Sequence, residues 1–290
     1  MSFLITGASG HLGRHAVESL IARGVSADSI VATTREPSRL SDLADRGVVV
    51  RQADFSDPRS LRTAFHGGER MLLVSSNAAG KRIDQHKAAI DAARDAGVTF
   101  IAYTSVSHAD SALMKGVVEH RQTEEYLRAV GVPFTILRNS WYFENYLALL
   151  PLIQVAGAIY GMAGDGRASG ARRSEYAEAA TAVLTGEDHE GKVYELGGDA
   201  PYSLAELAEA ISERLGRSIP YVDLPEEELV SALKASGMPD FIVPVLLDTH
   251  AGAARGELFT GTRDLSRLIG RPTTSLRQAL ADTTVDSDPR

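Results

Sequence analysis

Along the first half of the chain, apolar and polar positions come in blocks. Short apolar runs stand at Phe3-Leu4-Ile5-Thr6, Ile30-Val31-Ala32-Thr33, residues 48–53, residues 71–75, Phe100-Ile101-Ala102-Tyr103 and Phe134-Thr135-Ile136-Leu137. Each has strand length and is nearly continuous, as expected of strands covered on both faces. Between them the spacing turns helical. Leu12, Ala16, Val17, Leu20 and Ile21 share one face of a helix that Gly24 stops. Residues 82–96 place Ile83, Ile90 and Ala93 inward before Gly97, and residues 119–130 read as a helix closed by Gly131. Strands alternating with helices predict parallel pairing through right-handed crossovers. In such a sheet ligands sit outside the carboxyl ends of the strands, so the residues just after each strand are the informative ones.

The second half is less regular. Residues 161–170 carry few apolar side chains and read as a loop, and Val193-Tyr194-Glu195-Leu196 reads as a strand. Ser203-Leu204-Ala205-Glu206 is a capping box opening an amphipathic helix through Leu215. Pro225 and three glutamates mark another helix start, whereas Pro239 and Pro244 break up the stretch after it. Residues 275–281 suggest a last helix and 282–290 a frayed tail. The expected architecture is an α/β, doubly wound parallel sheet over residues 1–150, with a smaller, mostly helical domain over 151–290, some of whose elements can return to the sheet.

Composition narrows the functional classes. The 290 residues carry a net charge of -8, so a phosphate backbone is repelled at long range and nucleic acid is not the expected partner. With no cysteine there is no disulfide framework, thiolate metal site or catalytic thiol. The N-terminal residues show no leader peptide, and no apolar run reaches the roughly 20 residues that span a bilayer. A cytoplasmic protein without a membrane partner is the expectation.

The strongest signal is Gly7-Ala8-Ser9-Gly10-His11-Leu12-Gly13, a G-x-x-G-x-x-G pattern between the first strand and the first helix. Gly7 permits the tight turn, Gly10 lets backbone approach a pyrophosphate, and Gly13 allows close packing; the free amides of the first helical turn then face the anion. After the second strand the chain reads Thr33-Thr34-Arg35-Glu36. An arginine there suits a 2′-phosphate and favours NADPH, with Arg39 nearby, while Glu36 is the alternative that suits NADH. His11 and His15 have helical spacing but lack a companion acid, so no metal is expected.

Together with the cradle and Arg35, the segment Leu137-Arg138-Asn139-Ser140-Trp141-Tyr142-Phe143-Glu144-Asn145-Tyr146 resembles the NmrA-like branch of atypical short-chain dehydrogenases/reductases. The matching stretches run along nearly the whole chain. The resemblance implies a Rossmann domain, a smaller C-terminal domain and a cleft between them. It also implies NADPH held by Gly7 to Gly13 and Arg35, with Ser76 and Asn77 along the cofactor. Ser140, Trp141, Tyr142, Phe143, Glu144 and Asn145 would wall the nicotinamide end, and Arg173 would reach in from the cap. Asn77 and Ala78 depart from the serine and glutamate expected after the fourth strand.

No tyrosine of this chain is followed by lysine four residues later, so the usual acid/base pair of short-chain dehydrogenases is missing. A quinone asks less of the protein, since its reduction gives a hydroquinone anion that is a weak base. The expected activity is therefore two-electron hydride transfer from NADPH to a quinone, without flavin or metal; no catalytic residue is assigned. His108, Trp141, Tyr142 and Asn145 are the acceptor-binding candidates, against local bonding for His108 and core packing for the aromatics. An NADP-binding redox sensor without turnover, or a reductase of an enone or imine, are the alternatives. The oligomeric expectation is a monomer or homodimer.

Overall fold

The computed structural model describes residues 1–282. The first elements are β1 (Phe3–Ile5), α1 (His11–Ala22), β2 (Ile30–Thr34), α2 (Ser41–Asp45), β3 (Val49–Gln52), α3 (Pro58–Phe65), β4 (Arg70–Leu73) and α4 (Arg82–Asp95). Then come β5 (Phe100–Val106), α5 (Val118–Val130), β6 (Phe134–Asn139), α6 (Phe143–Leu147), α7 (Leu150–Ala156), β7 (Ile159–Gly161), β8 (Arg167–Ala168), α8 (Arg173–Thr185) and β9 (Val193–Leu196). The last are β10 (Tyr202–Ser203), α9 (Leu204–Leu215), β11 (Tyr221–Asp223), α10 (Glu226–Ala235), α11 (Val243–Ala254), α12 (Asp264–Ile269) and α13 (Leu276–Asp282).

Seven strands form one sheet in the order β3-β2-β1-β4-β5-β6-β9. All neighbours from β3 to β6 are parallel, with Phe3 opposite Ile30 on one side and Arg70 on the other. The chain runs outward from β1 through β3 and then restarts on the other side at β4, so the order reverses between β1 and β4. That switch point is where an open parallel sheet leaves a crevice at its carboxyl ends. β1 and β2 are buried along their whole length, which is why β1 is continuously apolar and β2 carries no charge, ending in two buried threonines.

The chain divides into two compact units. The first comprises residues 1–109, 116–139 and 173–195. On one face of its sheet, Leu4, Met71, Ile101 and Ile136 pack with Phe65, Ile90 and Leu127. On the other, α1 lies against α8, and Thr181 Oγ1 accepts from Arg23 Nε at 3.1 Å. The second unit comprises residues 110–115, 140–172 and 196 onward. It holds two small sheets, β8 with β10 and β7 with β11, and a core around Leu229, Leu233, Val243 and Leu246. Both halves of the Ser203–Glu206 capping box are formed.

The expected boundary near residue 150 is corrected. After a short excursion over 110–115 the chain passes to the second unit at residue 140, and, as the sequence allowed, α8 and most of β9 return to the first. Residues 161–170 contain β8, so that stretch is not all loop. Pro244 opens α11 from its first turn, where its missing N–H costs nothing. Apart from Asp282, which closes α13, the expected tail lies outside the described residues. Among the described residues no helix is long and apolar enough to cross a membrane.

Candidate functional site

The turn between β1 and α1 is shaped by its glycines. Gly7 sits at φ +60°, a conformation that side chains resist. Its carbonyl accepts from Gly10 N–H at 2.9 Å, and Ala8 N–H donates to Thr33 O at 2.9 Å, lashing the turn to the end of β2. Thr34 Oγ1 adds a bond to Ser9 Oγ at 2.8 Å. A Cβ on Gly13 would stand 2.4 Å from the Gly7 oxygen, so the helix can approach the turn only as glycine. The N-cap, Gly10, has no side chain to accept from the amides of His11, Leu12 and Gly13. The first turn of α1 therefore presents uncapped N–H groups and the positive end of its dipole. This backbone fits a pyrophosphate.

Arg35 follows β2 directly and is exposed. Gln52 Nε2 donates to its carbonyl at 3.2 Å, while the guanidinium has no hydrogen bond or ion pair among the described residues. By contrast Arg14 is committed to Asp42 through two bonds of 2.7 and 3.0 Å. Arg35 is thus a cation placed beside the cradle with its donors unspent.

Across the switch point, three successive amides of the loop after β4 are held by side chains. Val74 N–H donates to Thr6 Oγ1 at 2.9 Å, Ser75 N–H to Thr104 Oγ1 at 2.9 Å, and Ser76 N–H to His86 Nε2 at 3.0 Å. The Ser76 carbonyl accepts from Arg82 Nε at 2.7 Å. The Ser76 hydroxyl is buried without a hydrogen-bond partner, a bond left to be made. Asn77 is exposed on the same loop.

His108 follows β5 at φ +52°, a strained position for a side-chain-bearing residue. Its N–H donates to both oxygens of Glu195, at 3.3 and 3.1 Å. Glu195 in turn pairs with Arg138 at 2.9 Å, and Arg138 forks onto Glu124 at 3.0 and 2.7 Å. Ser105 Oγ also donates to Glu124, at 2.6 Å. Arg138 and Glu124 are 5% and 1% exposed, so this is a fully buried ion pair that fixes the turn carrying His108. The apolar pattern gave no hint of it, although Arg138, a charged residue inside the otherwise buried β6, was an available signal; Glu124 is one of several charges on amphipathic α5.

In the second unit, the segment after β6 divides by role. Trp141, Tyr142, Glu144 and Asn145 are half-buried. Trp141 stacks at a tilt on Tyr146, ring centres 6.1 Å apart, and Tyr142 bridges to Ala171. The side-chain expectation for Phe143 is corrected. Phe143 is 1% exposed and packs on Tyr202, so it is a core ring with no face for a ligand. Ser140 spends its hydroxyl proton on the Leu258 carbonyl at 2.9 Å, tying the segment down. Arg173, expected in the cap, opens α8 and belongs to the first unit.

A family model described as the NmrA-like family matches residues 2–251. The chain belongs to the NmrA-like family. It is 44% identical over 277 residues to quinone oxidoreductase 2 of Escherichia coli, covering 96% of both proteins. The crystal structure of the Escherichia coli NADPH-dependent quinone oxidoreductase in complex with NADPH superposes with a TM-score of 0.92, covering 96% of this chain and 98% of that one. A Citrobacter sp. triphenylmethane reductase complexed with NADP(H) shares 34% identity and a TM-score of 0.91, covering 98% and 100%. This NmrA-like chain is thus similar, over nearly its whole length, to reductases crystallised with NADP(H).

Proposed function

We propose that this NmrA-like protein is an NADPH-dependent oxidoreductase that passes a hydride directly to a quinone. The observation that carries the reading is the 44% identity, spread over 96% of both chains, to a quinone oxidoreductase whose relative is crystallised with NADPH. The geometry fits: an amide-lined turn that only glycine can build, an uncommitted arginine beside it, and a buried serine hydroxyl lacking a bond.

The residues divide the work. Gly7, Ala8, Ser9, Gly10, His11, Leu12 and Gly13 hold the pyrophosphate through main-chain amides, and Arg35 takes the 2′-phosphate with a charge-assisted bond. Ser76 and Asn77 line the cofactor. His108 donates to a quinone oxygen, while Trp141 and Tyr142 offer flat apolar walls and Asn145 a polar handle. When bound, NADPH supplies the hydride. The chain then has little proton chemistry to perform, because a hydroquinone anion is a far weaker base than an alkoxide and water or a modest donor suffices. Tyr103 is unsuited to that step: it is fully buried, its pKa is pushed up by burial, and its hydroxyl bonds His120 at 2.7 Å. The protein's contribution is orientation at reactive distance.

The acceptor is a small-molecule quinone, and we place the protein in the cytoplasm as a monomer or homodimer. Following NADPH absorbance with and without benzoquinone tests the activity. NADPH should be consumed only when quinone is present. Binding of NADP with no quinone-dependent oxidation would contradict the proposal and identify a sensor; turnover with an enone or imine alone would identify another reductase.

A further inference from the structure

We infer that His86 is a positioning residue for cofactor binding, acting through the main chain of Ser76, to which Arg82 is the second anchor. The inference rests on the reading of Ser76 as a cofactor-lining residue.

The hydrogen bonds define the state of the His86 ring. A backbone amide can only donate, so Nε2, which receives the Ser76 N–H at 3.0 Å, carries no proton. The ring proton is therefore on Nδ1, which donates to Thr123 Oγ1 at 3.0 Å. Thr123 passes its own proton to the Glu119 carbonyl at 2.7 Å, closing the chain of donors without ambiguity. His86 is 0% exposed and lies edge-on to Phe55 and Tyr103. Burial, with the Arg82 charge nearby, pushes its pKa down to about 3, so the acceptor lone pair persists at neutral pH.

The carbonyl of the same residue is fixed as firmly. Arg82 Nε donates to Ser76 O at 2.7 Å, and Arg82 is held by Glu119 at 3.3 Å, with 13% and 18% of the two side chains exposed. Both main-chain polar groups of one loop residue, in two successive peptides, are therefore gripped by side chains of α4, at the carboxyl end of a strand flanking the switch point. Nothing in the packing of the core requires a histidine here. A buried apolar residue would fill the space between Phe55 and Tyr103 and would leave Thr123 its bond to Glu119. What only an acceptor at the Nε2 position supplies is a place for the Ser76 N–H, which is costly to leave unpaired. The loop must otherwise shift to find water, taking Ser76 and Asn77 with it.

The test compares His86→Leu with His86→Gln, whose amide oxygen reaches the place of Nε2. NADPH dissociation constants are measured by calorimetry, and exchange of the Ser76 amide by hydrogen–deuterium exchange of the nucleotide-free protein. His86→Leu should weaken NADPH binding about tenfold, the worth of roughly one hydrogen bond. It should speed exchange at Ser76 while the strands of the sheet stay protected, and His86→Gln should restore both. Should His86→Leu not fold, Arg82→Met, which frees the Ser76 carbonyl, is read by the same two measurements. Unchanged NADPH affinity, or weakened affinity with exchange raised throughout the sheet, would overturn the inference. If the unaltered protein itself bound no NADPH, the proposed function would fall instead.

Discussion

Gly13→Ala is expected to lower the free energy of unfolding by about 3 kcal/mol, at the upper end of the cost of overpacking. The added methyl would meet the Gly7 oxygen at 2.4 Å, the Gly7 carbonyl carbon at 2.8 Å and the Ala8 Cα at 2.9 Å. All three are backbone atoms, so no flexible side chain can turn away. The turn cannot relax easily either, since Gly7 is at φ +60° and Ala8 N–H is tied to Thr33. Helix α1 must therefore lift from the turn, and the first-turn amides move with it. Urea denaturation followed by the fluorescence of Trp141, the single tryptophan, would report the loss. A cost below about 1 kcal/mol would show that the helix is free to move, against the close packing on which the cradle depends.

Arg138→Met is expected to cost about 3–5 kcal/mol, because breaking a buried pair strands a charge. Glu124 is 1% exposed and, among the described residues, would keep only Arg128, itself 41% exposed, as a counter-charge. Glu195 would lose its bond to Arg138 as well, and its carboxylate is what holds the strained His108 turn. Arg138→Met combined with Glu124→Leu should be less damaging than Arg138→Met alone, since it removes the more deeply buried of the two carboxylates that Arg138 serves. Denaturation of the single and double variants would decide it. A double variant that loses more than the single would mean that the pair is a net source of stability.

What could be read from the sequence depends on which interactions are local. Strands β1, β2, β5 and β6 were legible because they are almost wholly buried, and the cradle because three glycines sit at one strand-to-helix turn; β3, at the sheet edge, is only partly covered and was read from its valines alone. The α9 start was legible because its capping box is a local exchange of two hydrogen bonds. α8 went unread: eight of its thirteen residues are buried around most of its circumference, so no helical stripe stands out. α3 was missed despite Asp57 and Pro58, a capping residue and a first-turn proline that together mark a helix start. The two-residue strands β8 and β10 are too short for any periodicity. The unit boundary was misplaced because β9 reaches the sheet by pairing with β6, about sixty residues earlier, and such pairing leaves no local mark. At the site, the residues after the strands were legible, but those that hold them were not. Thr104 and Glu195 act on their loops from distant parts of the chain, His86 and Arg82 from the helix that follows theirs, and each alone resembles an ordinary polar residue.

The most direct measurement is a calorimetric titration of NADPH and of NADH into the unaltered protein and into Arg35→Ala. A charge-assisted bond to the 2′-phosphate is worth about 1.5–3 kcal/mol, or roughly ten- to a hundredfold in affinity. NADPH should therefore bind the unaltered protein that much more tightly than NADH does, and Arg35→Ala should erase the gap by weakening NADPH alone. Equal weakening of both nucleotides, or no heat from either with the folded protein, would contradict the assignment of the cradle and of Arg35.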